Sequence, residues 1–148
     1  MPELIREPDI VNVLERSRVV AVLGAHCEMH RPAFYVPDYL HDQGYRVLPV
    51  NPHLVGDTLW GEPVRARLGD LNEPVDLVDV FRRSDALDNH LDDFLAMRPS
   101  PRVIWFQLGI RNDRVAAALV AGGLDVVQDR CTLADHKRFR RAGLLAAR

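Results

Sequence analysis

Three short stretches hold side chains that could do chemistry. In "GAHCEMHRP", Gly24 to Pro32, His26 and His30 lie four residues apart around Cys27, and zinc and similar metals accept such borderline-soft donors. On a helix the two imidazoles would share a face, but the stretch follows an aliphatic run and reads as a turn. The default for both histidines is then the rim of a pocket. In "DRCTLADH", Cys131, Asp135 and His136 are the residue types of a thiol hydrolase, a weak signal without geometry, and His136 near a helix start reads as a cap or surface residue. In "DVFRRSD", Arg82 and Arg83 are adjacent, so one at most points fully into a pocket while the other pairs with Asp79 or Asp85. Asp76 and Asp79 make no acid–base pair, because an odd separation along a strand sends them to opposite faces.

The elements that must position these residues alternate. "RVVAVL" from Arg18, "RVLPVN" from Arg46, "VDLVDVF" from Val75, "RVIWFQL" from Arg102 and "DVVQ" from Asp125 read as five strands. Helical periods lie between them. Phe34, Val36, Tyr39 and Leu40 form a stripe from Pro32 that stops at Gly44; Ser84 is a candidate N-cap for Leu87, Leu91, Phe94 and Leu95, ending before Pro99. Asn112 caps a helix that stops at Gly122-Gly123, and helices are expected at Pro8–Ser17 and Leu133–Leu145. The stretch Pro63–Leu71 reads as a short helix or irregular crossover. Strands spaced by helices imply a doubly wound α/β domain over residues 1–148, a five-stranded parallel sheet of expected order 3-2-1-4-5 with helices on both faces. Ligands of such sheets bind at the carboxyl ends of the strands, where the strand order reverses. Trp105, inside the fourth run, is assigned to the core.

Composition narrows the class. With 47% apolar and 27% charged residues and a net charge of -2, the chain is neither disordered nor a non-specific nucleic-acid binder. The basic stripe His136–Arg141 reads as the solvated face of a final helix. No apolar run is long enough to span a membrane and no signal-peptide pattern opens the chain, so the expected compartment is the cytoplasm. Cys27 and Cys131 are too few for a disulfide framework; both belong to turns at the expected ligand edge, two strands apart in the expected order.

A nicotinamide dinucleotide site needs G-x-G-x-x-G after the first strand and an acidic residue after the second. Here Gly24 is followed by His26 and Met29 where the later glycines belong, and the second strand ends "VNPH". Those departures disfavour an NAD(P)-dependent oxidoreductase or redox sensor, the alternative on the same fold. What remains is a glycine turn running into a helix start at Pro32, whose free N–H groups suit phosphate, with Arg31, Arg82 and Arg83 at the same edge.

"GAHCEMHRP", "VLPVNP", "PVDLVDVFRRSD", "VIWFQLGIRND" and "VVQDRC…DHKR", in this order, resemble the small stand-alone CoA-binding proteins, which are similar to the CoA-binding domain of the succinyl-CoA synthetase α subunit. The resemblance covers about Arg18 to Phe139. It implies a Rossmann-like domain that binds coenzyme A or an acyl-CoA without chemistry of its own. By that resemblance, Gly24, Ala25, Arg31 and Pro32 contact phosphates, and Asn51 and Pro52 wall the adenosine. Phe81, Arg82, Arg83 and Ser84 line the middle, and Gln107, Leu108 and Gly109 lie under the pantetheine. His26 stands where many relatives carry a small hydroxyl residue, and either adds a phosphate contact or narrows the pocket. His53 stands where a lysine or arginine is common, and an imidazole carries less charge at pH 7.

Overall fold

The computed structural model describes residues 3–146, so the outermost two residues at each end of the expected domain lie outside the description. In chain order the elements are α1 (Glu7–Arg16), β1 (Val19–Leu23), α2 (Pro32–Asp42), β2 (Arg46–Val50), the two-residue strands β3 (Thr58–Leu59) and β4 (Glu62–Pro63), and β5 (Leu77–Val80). There follow α3 (Leu91–Ala96), β6 (Val103–Phe106), α4 (Asp113–Ala121), β7 (Asp125–Val127) and α5 (Thr132–Arg141). All five aliphatic runs are strands of one parallel sheet.

Both faces of the sheet are buried, which is why the runs are apolar throughout and not alternating. Ala21, Leu48, Val78 and Ile104 pack with Phe94, Val115 and Leu119 on one face. Val20, Val22, Val47, Leu77, Val103 and Trp105 pack with Ile10, Leu14, Leu40 and Phe139 on the other. Trp105 is fully buried, and its indole Nε1–H donates to the Arg130 carbonyl at 2.7 Å. Among the described residues, no helix is long and apolar enough to cross a membrane.

The strand order corrects the expected 3-2-1-4-5. The sheet runs β2-β1-β5-β6-β7, which is 2-1-3-4-5 for its strands counted along the chain, the other common doubly wound order. The cause is the connection from β2 to β5. Instead of a crossover helix it holds the β3–β4 ribbon and single 3-10 turns, and it runs along the outer edge of β2. There Arg65 N–H donates to the Pro49 carbonyl at 3.0 Å and Asn51 N–H to the Arg65 carbonyl at 2.8 Å. With that edge occupied, the next strand pairs on the other side of β1. Pro49, which has no N–H to give, suits an edge strand.

Two helical expectations also change. Ser84–His90 is a 3-10 segment leading into the six-residue α3, and Ser84 caps neither: its Oγ accepts the Arg111 N–H at 3.0 Å, tying the β5 and β6 loops together. His136 is not a surface residue. It is 2% exposed, and its Nδ1 lies 2.8 Å from Tyr39 Oη, with both Tyr39 and Tyr45 edge-on to its ring. Asn112 caps α4 as expected, its side chain accepting the Val115 N–H at 3.0 Å. The basic stripe lies on α5, where Arg138 pairs with Glu7 while Phe139 faces the core.

Candidate functional site

A cleft of about 640 Å³ crosses the carboxyl edge of the sheet between β1 and β5, the point where strand order reverses. Its size is that of a small-molecule site.

The β1 turn closes one wall. Gly24 has φ +89°, and a Cβ there would stand 2.5 Å from the Phe81 carbonyl oxygen, so only glycine fits against the β5 loop. The Gly24 and Ala25 N–H groups, expected to meet phosphate, are spent on the Val50 carbonyl at 2.9 and 3.3 Å. Ala25 is fully buried and does not line the cleft. Asn51 clamps the same turn, its Nδ2 donating to the Ala25 carbonyl at 2.8 Å while its Oδ1 accepts the His53 N–H at 2.9 Å. Asn51 lines the cleft; Pro52 and His53 are exposed outside its lining.

The first turn of α2 supplies what the β1 turn does not. Pro37 cannot donate to the Ala33 carbonyl four residues back, and that carbonyl accepts the His26 N–H at 3.2 Å instead, which fastens the turn to the helix. Ala33 lines the cleft, and its N–H, in the first turn, has no acceptor among the described residues. His26 also lines it. Its Nδ1 accepts the Glu28 N–H at 3.0 Å, so the neutral ring carries its proton on Nε2 and is a donor there. Arg31 lines the cleft beside Pro32 but shares its charge with Glu28 at 3.2 Å, and this hydrogen bond holds the Glu28 carboxyl below its ordinary range.

The arginine pair divides. Arg83 is exposed and bonded to Asp85 at 2.7 Å; Arg82 is half-buried, with no hydrogen-bond acceptor or ion-pair partner among the described residues. Its Nη1 lies 3.4 Å from where a Gly24 Cβ would sit, and burial holds its pKa below the ordinary value. Arg82 also reaches His90, whose imidazole is held below its ordinary value first by burial and then by the Arg82 charge. A half-buried cation beside a helix N-terminus is a ready site for an anion.

The far end is neutral. Gln107, 4% exposed, lines the floor; its Oε1 accepts the Thr132 N–H at 3.1 Å and lies 3.0 Å from Thr132 Oγ1. A backbone N–H can only donate, so the amide orientation is fixed and Nε2 is the atom left for the cleft. Thr132 Oγ1 is also 3.0 Å from Asp79 Oδ2, while Asp79 Oδ1 has no partner among the described residues. Burial pushes the Asp79 carboxyl up to about 8, so it keeps its proton at pH 7. The Thr132 hydroxyl has a single proton to give. A protonated Asp79 that donates to Thr132 Oγ1 frees that proton for Gln107, and the chain closes. Leu108, Gly109 and Ile110 continue the lining to Cys131, with Phe81 and Ser84 across from them.

Sequence reasoning passed over Ala33, Tyr35, Val36 and Ile110 as lining residues; Cys131, placed by it at the ligand edge, does line the cleft, while Asp79, offered only as a partner for an arginine, is buried against Thr132 instead. A carboxylate inside an aliphatic run was the available signal for Asp79. Cys27, expected to be able to face the ligand, is exposed and outside the lining; its strand and that of Cys131 lie three positions apart in the observed order. Among the described residues, no group of three or more His, Cys, Asp or Glu side chains could hold a metal ion.

Comparison with known proteins matches this geometry to a family. The CoA-binding domain model matches residues 18–137. The chain is 32% identical over 128 residues to YneT, an uncharacterised protein of Bacillus subtilis, covering 86% of this chain and 92% of that one. A Thermus thermophilus structure described as cell-free ID.343 is 48% identical, with a TM-score of 0.86 and coverage of 90% and 98%. A hypothetical protein of Pyrococcus horikoshii is 26% identical, with a TM-score of 0.82 and coverage of 93% and 98%. A dinucleotide-forming acetyl-coenzyme A synthetase of Ca. Korarchaeum cryptofilum shares the fold, at 17% identity and a TM-score of 0.62, over 80% of this chain and 27% of its own. Sharing both the fold and the sequence pattern from residue 18 to residue 137, this chain belongs to the CoA-binding domain family.

Proposed function

We propose that this protein binds coenzyme A, free or as an acyl-CoA, in the cleft between β1 and β5, in a cytoplasmic setting and without chemistry of its own. The observation that carries the reading is Arg82, a half-buried cation with no counter-ion among the described residues, which lines the same cleft as Ala33 at the start of α2, whose N–H has no acceptor among them. Both suit the phosphates, and the His26 Nε2–H is a third donor at that end. Gly24 lets the β1 turn pack directly against the Phe81 carbonyl, with Arg82 at the same wall. Arg83, committed to Asp85, contributes little charge. The uncharged arm of the ligand runs over Gln107, whose Nε2 suits a carbonyl oxygen of pantetheine or of a thioester. Adenosine lies against Asn51, with Pro52 and His53 outside the lining.

An NAD(P) site would need an acidic side chain at the end of β2 to hold the ribose, and Asn51 there is fully engaged by the turn. The test is calorimetric titration of the purified protein with CoA, pantetheine and NAD⁺ under reducing conditions. Saturable binding of CoA, much weaker binding of pantetheine and no response to NAD⁺ are expected. A folded protein that gives no heat with CoA, or that binds NAD⁺ equally well, would overturn the reading.

A further inference from the structure

The neutral end of the cleft contains a thiol. Cys131, the N-cap residue of α5, is partly buried and lines the cleft together with Gln107 and Ile110, whereas Cys27 is exposed and does not. A cysteine at a pocket wall says nothing by itself. Beside it, however, Gln107 is a second and independent sign of a ligand: it lines the cleft, is more than nine-tenths buried, is fixed by Thr132 through Oε1, and has an Nε2 donor with no hydrogen-bond partner among the described residues. The charged and neutral ends also give the ligand a direction. With its phosphates at Arg82 and Ala33, coenzyme A sends its uncharged arm over Gln107 toward Cys131, and that arm ends in sulfur.

We propose that Cys131 captures the ligand covalently when it arrives as a CoA disulfide, so that the cleft holds coenzyme A as a mixed disulfide under oxidising conditions. This inference rests on the CoA reading above. The step is thiol–disulfide exchange. Cys131, as thiolate, attacks one sulfur of CoA–S–S–CoA; the Sγ–S bond forms as the old S–S bond breaks. One CoA leaves as thiolate and takes up the proton that Cys131 gave to solvent. The disulfide itself is the oxidant, and each event releases one CoA thiol. Selectivity comes from the other end of the cleft, because phosphates held at Arg82 raise the local concentration of the disulfide at Cys131.

Intact-mass spectrometry of the full chain, incubated with CoA disulfide or with oxidised glutathione, tests this. The wild type and Cys27→Ser should each gain the mass of one CoA less two hydrogens, reversibly with dithiothreitol. Cys131→Ser and Cys131→Ala, folded by circular dichroism, should gain none. The reaction with CoA disulfide should run at least ~10-fold faster than with oxidised glutathione, and Arg82→Ala should slow the first without changing the second. An adduct on Cys27, equal rates with the two disulfides, or no adduct at all would overturn the proposal. Calorimetry separates the two failures: CoA binding without an adduct removes this inference alone, and absence of both removes the CoA reading as well.

Discussion

The two ends of the cleft are built in opposite ways. At the Arg82 end, a cation and a helix N–H are left without partners among the described residues. At the Gln107 end, Thr132 links Asp79 Oδ2 to Gln107 Oε1, and the Gln107 Nε2 amide is left without a partner among the described residues. The first arrangement waits for charge brought from outside; the second keeps its own charge suppressed, since Asp79 is buried and neutral. A ligand that is anionic at one end and merely polar at the other fits this division.

Substitution at the hinge between the ends should do most damage. Gly24→Val places a branched side chain at φ +89° against the Phe81 carbonyl, and should cost about 3–5 kcal/mol of stability as well as CoA binding. Urea denaturation and titration would measure both losses; a stable variant that still binds would remove the Gly24–Phe81 contact from the account.

Asp79→Asn tests the neutral end by pH. The folded value of about 8 lies above the ordinary 3.8, so the unfolded chain releases its proton first as pH rises. The folded state therefore loses relative stability through that window, and loses none below it. Asparagine stays neutral and can donate to Thr132. The variant should match the wild type near pH 4 and exceed it by roughly 2–4 kcal/mol near pH 8, with a smooth rise between. A difference that does not change with pH would mean that Asp79 is ionised in the folded protein.

Gln107→Met, which keeps the side-chain length without the amide, should weaken CoA by about 3–10-fold, the worth of one neutral hydrogen bond, and leave the affinity for inorganic pyrophosphate unchanged. Equal losses for both ligands would show that the two ends are not chemically separate.

Much of this frame was readable from the sequence. Five aliphatic runs gave five strands, and Asn112 marked the start of α4, because burial on both faces and capping are local signals. Strand order was not readable from them, since hydrophobic pattern says that a strand is buried and not beside which neighbour. Pro49 in "RVLPV" carried the missing hint, for it marks an edge that the expected order would have placed inside the sheet.

The site shows the same limit. Gly24, Arg82 and Gln107 were nominated by their place at strand ends, and all three line the cleft. The availability of their groups depends on partners that strand position alone does not choose: Val50 occupies the turn amides, and Asp85, two residues on, pairs with Arg83 and leaves Arg82 without a partner among the described residues. His136 was read as a surface residue because Tyr39, its partner, is 97 residues away. The same distance in sequence hid the link from Asp79 to Thr132.

On the proposed reading, Arg82 and not its neighbour Arg83 holds the phosphates. Titrating CoA into the wild type, Arg82→Ala and Arg83→Ala at one salt concentration measures this directly. Arg82→Ala should weaken CoA by about 10–100-fold, as expected for a charge-assisted hydrogen bond lost from a half-buried site, while Arg83→Ala changes it by no more than about twofold. Equal affinities in all three proteins, or a larger loss at Arg83, would contradict the account.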